Sequence, residues 1–401
     1  MRSCPSALGW MVSFSSRSAG SSAYSSMYQY PSDLIQALTS VMKVVLSVSY
    51  RRGMVTSTGM DPFSSTRPIS SSRFILKVAT VRERLSLDPI CSTVYFALGA
   101  RKSVVYLFFS AVVVAPPQGS NGLTQEGIFR AAARQADLVL LSGARLHEIL
   151  RNNAANFRQT KFGCIDTGIR AANIMCVTFA DEQAAFLAGA LLSQLHRHGL
   201  LPAPRTRAAG DELTLGWLAG EDDPQLKSML NGFVEGVRLE SPGARVINGV
   251  AGSYSSPEKG RAKAEELLGL DINALAVLAG RAGLGAVEAA IAQGRPLVGV
   301  DKDQQFLAPK LMLTSIVKRA DRAVFEIVKA TARGAFAGNE IITYDLANGG
   351  VDIVSPQVWA RHAGVRLPAA IERRLAELRL ELTRGGIRLP SLRDRTLCNC
   401  R

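Results

Sequence analysis

The sequence has few of the residues that usually carry catalysis or bind metal ions. Its 401 residues include only four histidines, and its six cysteines are scattered without C-x-x-C spacing. It contains no G-x-S-x-G or H-E-x-x-H motif, and no serine or cysteine has an evident base partner. Cys398 and Cys400 have no histidine nearby and make a poor half of a zinc site. We therefore expect that the protein is not an enzyme and that it has no cofactor, no metal site and no disulfide framework.

Long apolar runs are also missing. Without an uncharged apolar run of about 18 residues, we expect no membrane-spanning helix. Residues 103–115, SVVYLFFSAVVVA, resemble the core of a signal peptide but lie a hundred residues into the chain. Their aromatic and β-branched content favours a buried strand. No signal peptide is recognisable at the N-terminus.

Acidic residues are scarce in the first quarter of the chain. Residues 1–110 carry 12 Lys/Arg and 4 Asp/Glu, a net charge of +8. Residues 111–401 carry the other 35 Lys/Arg (47 − 12) and 29 Asp/Glu (33 − 4), a net charge of +6. The segment 1–110 contains serine clusters such as SFSSRSAGSSAYSS, and its apolar residues show no sustained helical or strand periodicity. Residues 1–105 are interpreted either as a poorly ordered basic leader or as a misassigned reading frame or start, and we favour the second. Since no basic stripe with aromatics and no helix-turn-helix is present, we expect no nucleic-acid binding.

From residue 111 the pattern becomes regular, and strand-like apolar runs alternate with helix-like segments. This alternation predicts α/β architecture with parallel sheets and helices on both faces, arranged as two Rossmann-like lobes. Ser255, with Glu258 three residues later, predicts a capping box for one of the helices.

Polar and small residues stand where several predicted strands end. In open α/β sheets ligands bind beyond the carboxyl ends of the strands, so these positions are candidate ligand contacts. The candidates are Ser142, Gly143, Asp166, Tyr254, Gly280, Asp301 and Lys318.

Each candidate also has a simpler interpretation. Asp301 could accept hydrogen bonds from sugar hydroxyls, but it could equally be a helix N-cap or part of a loop ion pair. Lys318 could donate hydrogen bonds to the same hydroxyls, but it could equally be a solvated surface lysine. Asp166 has the same N-cap alternative. The Tyr254 ring could stack on a planar base or simply cover the core edge. Gly280 belongs to a glycine loop that favours a tight turn over phosphate binding.

Several longer segments resemble the basic membrane protein family, which comprises substrate-binding lipoproteins of ABC importers and includes purine nucleoside receptors of spirochaetes. The similarity covers residues 111–392. The segments are KFGCIDTG, NIMCVTFADEQAAFLAGALL, LKSMLNGFVEGVR, SYSSPEKGRAKAEELL, LVGVDKDQ, LTSIVKRADRAVFEIVKA and ANGGVDI.

The resemblance implies a type I periplasmic-binding-protein fold with lobe 1 at 106–178 and 299–330 and lobe 2 at 179–298 and 331–392, followed by a tail at 393–401. It implies a purine nucleoside in the cleft between the lobes, and an ABC permease as partner. Asp301 and Lys318 would hold the ribose hydroxyls and Tyr254 would stack on the base. Asp166 and the loops at Ser142-Gly143 and Gly280 would face the ligand.

The chain departs from the family pattern at its start. We find neither a lipobox cysteine nor the Asp-x-Ser-Phe-Asn motif that supplies a second stacking ring, although Phe63 follows an acid in GMDPFSS. The resemblance implies a lipoprotein of the cell membrane facing the periplasm, with membrane association only through an anchor not visible in this sequence. Two alternatives stay open: a cytoplasmic ligand-sensing regulator of the same fold, and an inactive remnant with an incomplete first lobe.

Overall fold

The computed structural model describes residues 10–15, 78–81, 91–96, 110–114, 122–202 and 212–390. The chain divides into unit 1, residues 1–178 and 320–342, and unit 2, residues 179–319 and 343–401. It therefore passes from one unit to the other after residues 178, 319 and 342.

This division differs in part from the predicted lobes. Residues 299–319 belong to unit 2 and residues 331–342 to unit 1, the reverse of the prediction. Much of the predicted leader, including Phe63, lies outside the described residues, and so does the tail at 393–401.

The described strands and helices follow one another along the chain. The strands are β1 Trp10–Ser15, β2 Val78–Val81, β3 Cys91–Phe96, β4 Ser110–Val114, β5 Leu138–Ser142, β6 Lys161–Ile165, β7 Ile174–Phe179, β8 Thr214–Ala219, β9 Arg245–Val250, β10 Ala274–Leu278, β11 Leu297–Asp301, β12 Met312–Lys318, β13 Glu340–Tyr344 and β14 Val351–Ile353. The helices are α1 Gly122–Gln135, α2 Ala144–Asn153, α3 Asp181–Arg197, α4 Pro224–Glu240, α5 Pro257–Gly269, α6 Ala282–Ala292, α7 Ala320–Ala332, α8 Pro356–Ala363 and α9 Ala369–Thr383.

The first sheet has the strand order β13-β7-β6-β5-β1-β4-β3-β2. β5, β6 and β7 are parallel, as predicted. The strands from the first 114 residues are not: β1 is antiparallel to both β4 and β5, and β3 is antiparallel to β2 and β4. A parallel pair needs a crossover of a dozen or more residues, usually a helix. None of the described residues between β2 and β4 forms such a helix.

The core of unit 1 is built around aromatic side chains from α1 and β6. The rings of Phe129 and Phe162 stack with their centroids 5.5 Å apart, and Phe157 meets Phe129 edge-on at 5.9 Å. Gly163 on β6 lies so close to Leu140 that a Cβ would overlap that side chain.

The second sheet has the strand order β14-β12-β11-β10-β8-β9. β9, β8, β10, β11 and β12 are parallel, and β14 adds an antiparallel edge. The central strands are buried along almost their whole length, which is why they read as continuous apolar runs in the sequence.

Glycines allow the helices of unit 2 to approach one another closely. On α4, Gly232 and Gly236 face the backbone carbonyls of α3, and on α6, Gly285 faces the carbonyl of Pro257 at the start of α5. A side chain at any of these positions would overlap backbone atoms.

Several local predictions can be checked directly. The cap of α5 is Ser256 rather than Ser255, and its hydroxyl accepts a hydrogen bond from the Lys259 N–H at 3.3 Å. The sequence reading also missed β13, β14 and α8, which are short or mixed in polarity.

Candidate ligand-binding site

Asp301 and Lys318 end two neighbouring parallel strands of unit 2. Asp301 is the last residue of β11, and its partner in the register is Val317 on β12. Lys318, the residue after Val317, is the last residue of β12. Since the strands are parallel, both residues lie at the carboxyl edge of the sheet, where ligands bind in open α/β sheets. The predicted placement of an acid and a base at successive strand ends is confirmed.

The backbone of Asp301 is in the left-handed region, with φ at 69°, and its side chain is exposed. Aspartate and asparagine tolerate this conformation better than other residues that carry a side chain. The N-cap alternative for Asp301 is wrong, because the short 3-10 helix that follows, Gln305–Leu307, is preceded by Gln304. The carboxylate that accepts the Gln305 N–H, at 2.9 Å, belongs to Asp303.

Lys318 is held over an aromatic ring. Its Nζ lies 5.3 Å from the centroid of the buried Phe179 ring, and Phe179 in turn packs against Tyr344 at 5.6 Å. An ammonium over a ring face is attracted by the ring quadrupole, and the lysine stem covers apolar surface. Lys318 is therefore half-buried rather than the fully solvated lysine of the simpler interpretation.

Tyr254 lies in the loop between β9 and α5, and its ring packs against two glycines. Gly220 follows β8 and Gly280 follows β10, and a Cβ at position 220 would overlap the Tyr254 ring. The Tyr254 carbonyl accepts the Ala282 N–H at 3.0 Å, and the Gly220 carbonyl accepts the Ser253 N–H at 2.8 Å. The loops after β8, β9 and β10 are thus tied together around this ring.

Several charged groups act on the Tyr254 hydroxyl. Burial raises its pKa, and the negative charges of Asp223, Glu221 and Asp301 raise it further, while Lys318 acts in the opposite direction. The phenol therefore stays neutral and keeps its proton as a hydrogen-bond donor. These influences also show that Tyr254, Asp301 and Lys318 share one neighbourhood of unit 2.

Two acids near Tyr254 were missed by the sequence reading. Asp223 caps α4, because its carboxylate accepts the Gln225 N–H at 2.7 Å. Glu221 is half-buried, and burial, followed by the charge of Asp223, raises its pKa. Its position directly after β8 and Gly220 was the available signal, since it matches the other strand-end candidates.

Gly280 has φ at 54° and precedes Arg281, the exposed N-cap residue of α6. The next two glycines, Gly283 and Gly285, are already on α6 and serve packing: Gly285 contacts Pro257, and Gly283 lies against Val277. The loop thus makes a tight strand-to-helix turn, as the simpler interpretation predicted.

In unit 1 the predicted residues meet at the carboxyl edge of β5 and β6. Ser142 ends β5 opposite Ile165, and Gly143, with φ at 105°, is the N-cap of α2. Asp166 follows β6 with φ at 66°, and its N–H donates to the Val177 carbonyl at 2.8 Å. The N-cap alternative for Asp166 is also wrong, because the described chain continues from Asp166 to β7 without a helix.

A buried histidine missed by the sequence reading lies at the same edge. His147 is in the first turn of α2 and is 6% exposed. Burial lowers its pKa, against the opposing charge of Asp166. Only its position in the first turn of a helix that directly follows a strand could have drawn attention to it.

The described part of the chain shows neither a cluster of metal-binding side chains nor a helix able to span a membrane. Its histidines, cysteines and acids form no group of three or more that could hold a metal ion. None of its helices is long and apolar enough to cross a membrane.

Solved structures of other proteins share this fold. An ABC transporter solute-binding protein from Aeropyrum pernix K1 superposes with a TM-score of 0.59 at 23% identity, over 69% of this chain and 84% of that one. A transcriptional activator of the comK gene from Bacillus halodurans superposes with a TM-score of 0.52 at 15% identity, over 68% of this chain and 87% of that one. Identities this low establish the fold alone.

Sequence relatives are more specific. Basic membrane protein A of Borreliella burgdorferi is 26% identical over 266 residues, which is 64% of this chain and 74% of that protein. The ABC transporter nucleoside-binding protein BmpA of Lactococcus lactis is 27% identical over 244 residues, which is 56% of this chain and 66% of that protein. Other curated relatives are matched over 49% to 65% of their length.

The model of the Bmp family, described as ABC transporter substrate-binding protein PnrA-like, matches residues 121–365. The match covers more than half of the chain and includes residues of both units. It describes a family of transport binding proteins rather than enzymes. The chain therefore belongs to the Bmp family of PnrA-like ABC transporter substrate-binding proteins.

Proposed function

We propose that this chain binds a purine nucleoside and delivers it to the permease of an ABC importer. The observation that carries the proposal is the shared neighbourhood of Asp301, Lys318 and Tyr254 in unit 2. A carboxylate, an ammonium and a half-buried aromatic ring are the groups that a ribose with a planar base requires. No covalent step is part of this function.

In the proposed complex, Asp301 accepts hydrogen bonds from two ribose hydroxyls and Lys318 donates to one of them. Hydrogen bonds to charged groups are about twice as strong as those between neutral groups. Tyr254 stacks on the base, and base–aromatic stacking contributes about 1–3 kcal/mol. Gly280 allows the Tyr254 backbone to lie close by, because a Cβ there would be 3.1 Å from the Tyr254 carbonyl oxygen.

Ser142, Gly143 and Asp166 of unit 1 are proposed as ligand-contact residues. They share the strand-end position of the unit 2 residues, and Asp166 repeats the left-handed backbone of Asp301, with φ at 66° and 69°. The name of the Lactococcus lactis relative, a nucleoside-binding protein, supports the choice of ligand.

The proposal is tested by isothermal titration of the full chain with adenosine, guanosine, inosine and D-ribose. We expect micromolar or tighter binding of at least one nucleoside and weaker binding of ribose, which lacks the base that stacks on Tyr254. A folded, monomeric sample that binds none of the nucleosides would overturn the proposal. Such a result would favour a different ligand or an inactive remnant of the family.

A further inference from the structure

Two cysteines that are separated in the sequence stand side by side in unit 1. Cys164 on β6 and Cys176 on β7 are partners in the register of these parallel strands. Neighbouring strands lie about 4.7–4.9 Å apart, and the Cα atoms of disulfide-bonded cysteines are about 4.4–6.8 Å apart. The register therefore gives the two cysteines a backbone separation that a disulfide can span.

The two side chains also point to the same face of the sheet, as paired residues of neighbouring strands do. Both are fully buried in the core cluster of unit 1 that contains Phe129 and Phe162. The two thiols are hydrogen-bonded to each other, and this bond is the main cause that lowers the pKa of the Cys176 thiol. Both thiols are free in this structure, and the two sulfurs are already in contact.

The cysteines lie directly behind the loop that joins β6 to β7. This loop begins at Asp166, whose N–H donates to the Val177 carbonyl at 2.8 Å. Further along the loop, the Ile169 N–H donates to Cys176 Sγ at 3.2 Å, and Cys176 Sγ donates to the Ile169 carbonyl at 3.2 Å. Cys176 therefore already connects this loop to β7, and a bond to Cys164 would connect it to β6 as well.

We infer that Cys164 and Cys176 form a structural disulfide that joins β6 to β7 and closes the loop that contains Asp166. The inference rests on the proposed function in one respect: a binding protein that serves an importer meets its ligand outside the cytosol, where disulfides form and persist. It does not depend on which ligand is bound. It departs from the expectation of no disulfide framework, which considered only the spacing of cysteines along the sequence.

The oxidant is a protein or small molecule that carries a reactive disulfide, such as oxidised glutathione. One cysteine attacks this disulfide as a thiolate and displaces a thiol, and the second cysteine then attacks the mixed disulfide and displaces the other thiol. The chain loses two S–H bonds and gains one S–S bond, while the oxidant loses its S–S bond and gains two S–H bonds. Because both thiols are fully buried, the exchange takes place during folding, before the core closes. Cys176 then no longer donates to Ile169, but its sulfur can still accept the Ile169 N–H.

Peptide mapping tests the bond directly. The full chain is refolded in a mixture of reduced and oxidised glutathione, denatured with an alkylating reagent in the absence of reductant, digested and analysed by mass spectrometry. We expect a peptide pair linked through Cys164 and Cys176, lighter than the two separate peptides by two hydrogen atoms. Recovery of both cysteines in alkylated form, or as glutathione adducts, would overturn the inference.

The other four cysteines could compete for these partners. A variant with serine in place of Cys4, Cys91, Cys398 and Cys400 leaves only the proposed pair among the six cysteines. After refolding with glutathione, this variant should show no reactive thiol in denaturant before reduction and two after reduction. Two reactive thiols before reduction would contradict the bond.

Thermal unfolding tests the structural role. The bond closes a loop of 13 residues, 164–176, so refolding the parent with reductant instead of glutathione should lower the unfolding temperature by about 6–12 °C. The control is Cys164→Ala, in which the two preparations should unfold at the same temperature. An unchanged unfolding temperature in a parent that carries the bond would overturn its structural role, and this comparison needs only the parent if the variant does not fold.

Titration of the oxidised parent with adenosine keeps the two proposals apart. Formation of the bond in a protein that binds no nucleoside would retain the disulfide and overturn the proposed function. Nucleoside binding by a protein in which both thiols stay free after refolding with glutathione would do the reverse.

Discussion

The ring of Tyr254 packs directly against the backbone of Gly220, so that a Cβ at position 220 would overlap ring atoms Cδ1 and Cε1. The two residues come from different loops, after β9 and after β8. The orientation of the proposed stacking ring therefore depends on the absence of a side chain 34 positions earlier in the sequence.

Gly220→Ala is expected to weaken nucleoside binding about fivefold to a hundredfold, because the added methyl group displaces the ring and stacking contributes about 1–3 kcal/mol. Titration calorimetry with adenosine measures the effect. The control is Gly269→Ala at the end of α5, where a Cβ meets nothing within 4 Å. Equal affinities for the two variants would argue against Tyr254 as the stacking platform.

Asp301→Asn is expected to weaken nucleoside binding about tenfold to a hundredfold, because a charged hydrogen-bond acceptor is lost. Asparagine tolerates the left-handed backbone, and the side chain is exposed, so the unfolding temperature should change little. Calorimetric titration and thermal unfolding together measure the two effects.

Asp271→Asn is the matched control, because Asp271 is also in unit 2 with positive φ, at 55°, but precedes β10. It pairs at 3.2 Å with Arg295, which is 4% exposed, and breaking a buried pair costs about 3 kcal/mol or more. Asp271→Asn should therefore lower the unfolding temperature without changing affinity. Loss of affinity in the control but not in Asp301→Asn would contradict the assignment.

Lys318→Met is expected to reduce nucleoside affinity about tenfold, since methionine can still pack on Phe179 but donates no hydrogen bond. Lys329→Met tests whether removing any ring-bound lysine has this effect. Lys329 Nζ lies 5.5 Å from the Phe325 ring centroid on α7, in unit 1. Only the first variant should lose affinity, as measured by titration with adenosine.

The buried His147 predicts how stability depends on pH. Its pKa in the folded chain is below the ordinary value of 6.5, so the unfolded chain binds the additional proton first as the pH falls. The parent should lose stability from about pH 6.5 downward until the folded pKa is passed. His147→Gln, which cannot titrate, should lose less over the same range.

Urea unfolding of both proteins at pH 7.5, 6.5 and 5.5 checks this difference. Asp166 and Arg151, the charges that act on the ring, are present in both proteins, so the comparison isolates the imidazole. Parallel stability curves for the parent and His147→Gln would mean that the histidine is not buried in its neutral form.

The sequence by itself determined which residues end the strands of the second sheet. A fully buried parallel strand reads as an apolar run, and the run at β11 stops at Asp301 while the run at β12 stops at Lys318. Since parallel strands share a carboxyl edge, the strand–helix alternation of the sequence alone predicted that Asp301 and Lys318 lie at the same edge. The family followed from longer motifs, and the match to residues 121–365 confirms it.

Only the tertiary structure decided what surrounds those residues. Phe179 lies 139 positions before the Lys318 that it supports, and Glu221 and Asp223 act on Tyr254 from another loop. His147 is an ordinary helix residue in the sequence, and its unsatisfied Nε2 exists only because the fold buries it. Local periodicity reports which side chains are buried and where elements end, whereas contacts between distant segments depend on how the sheets and helices pack.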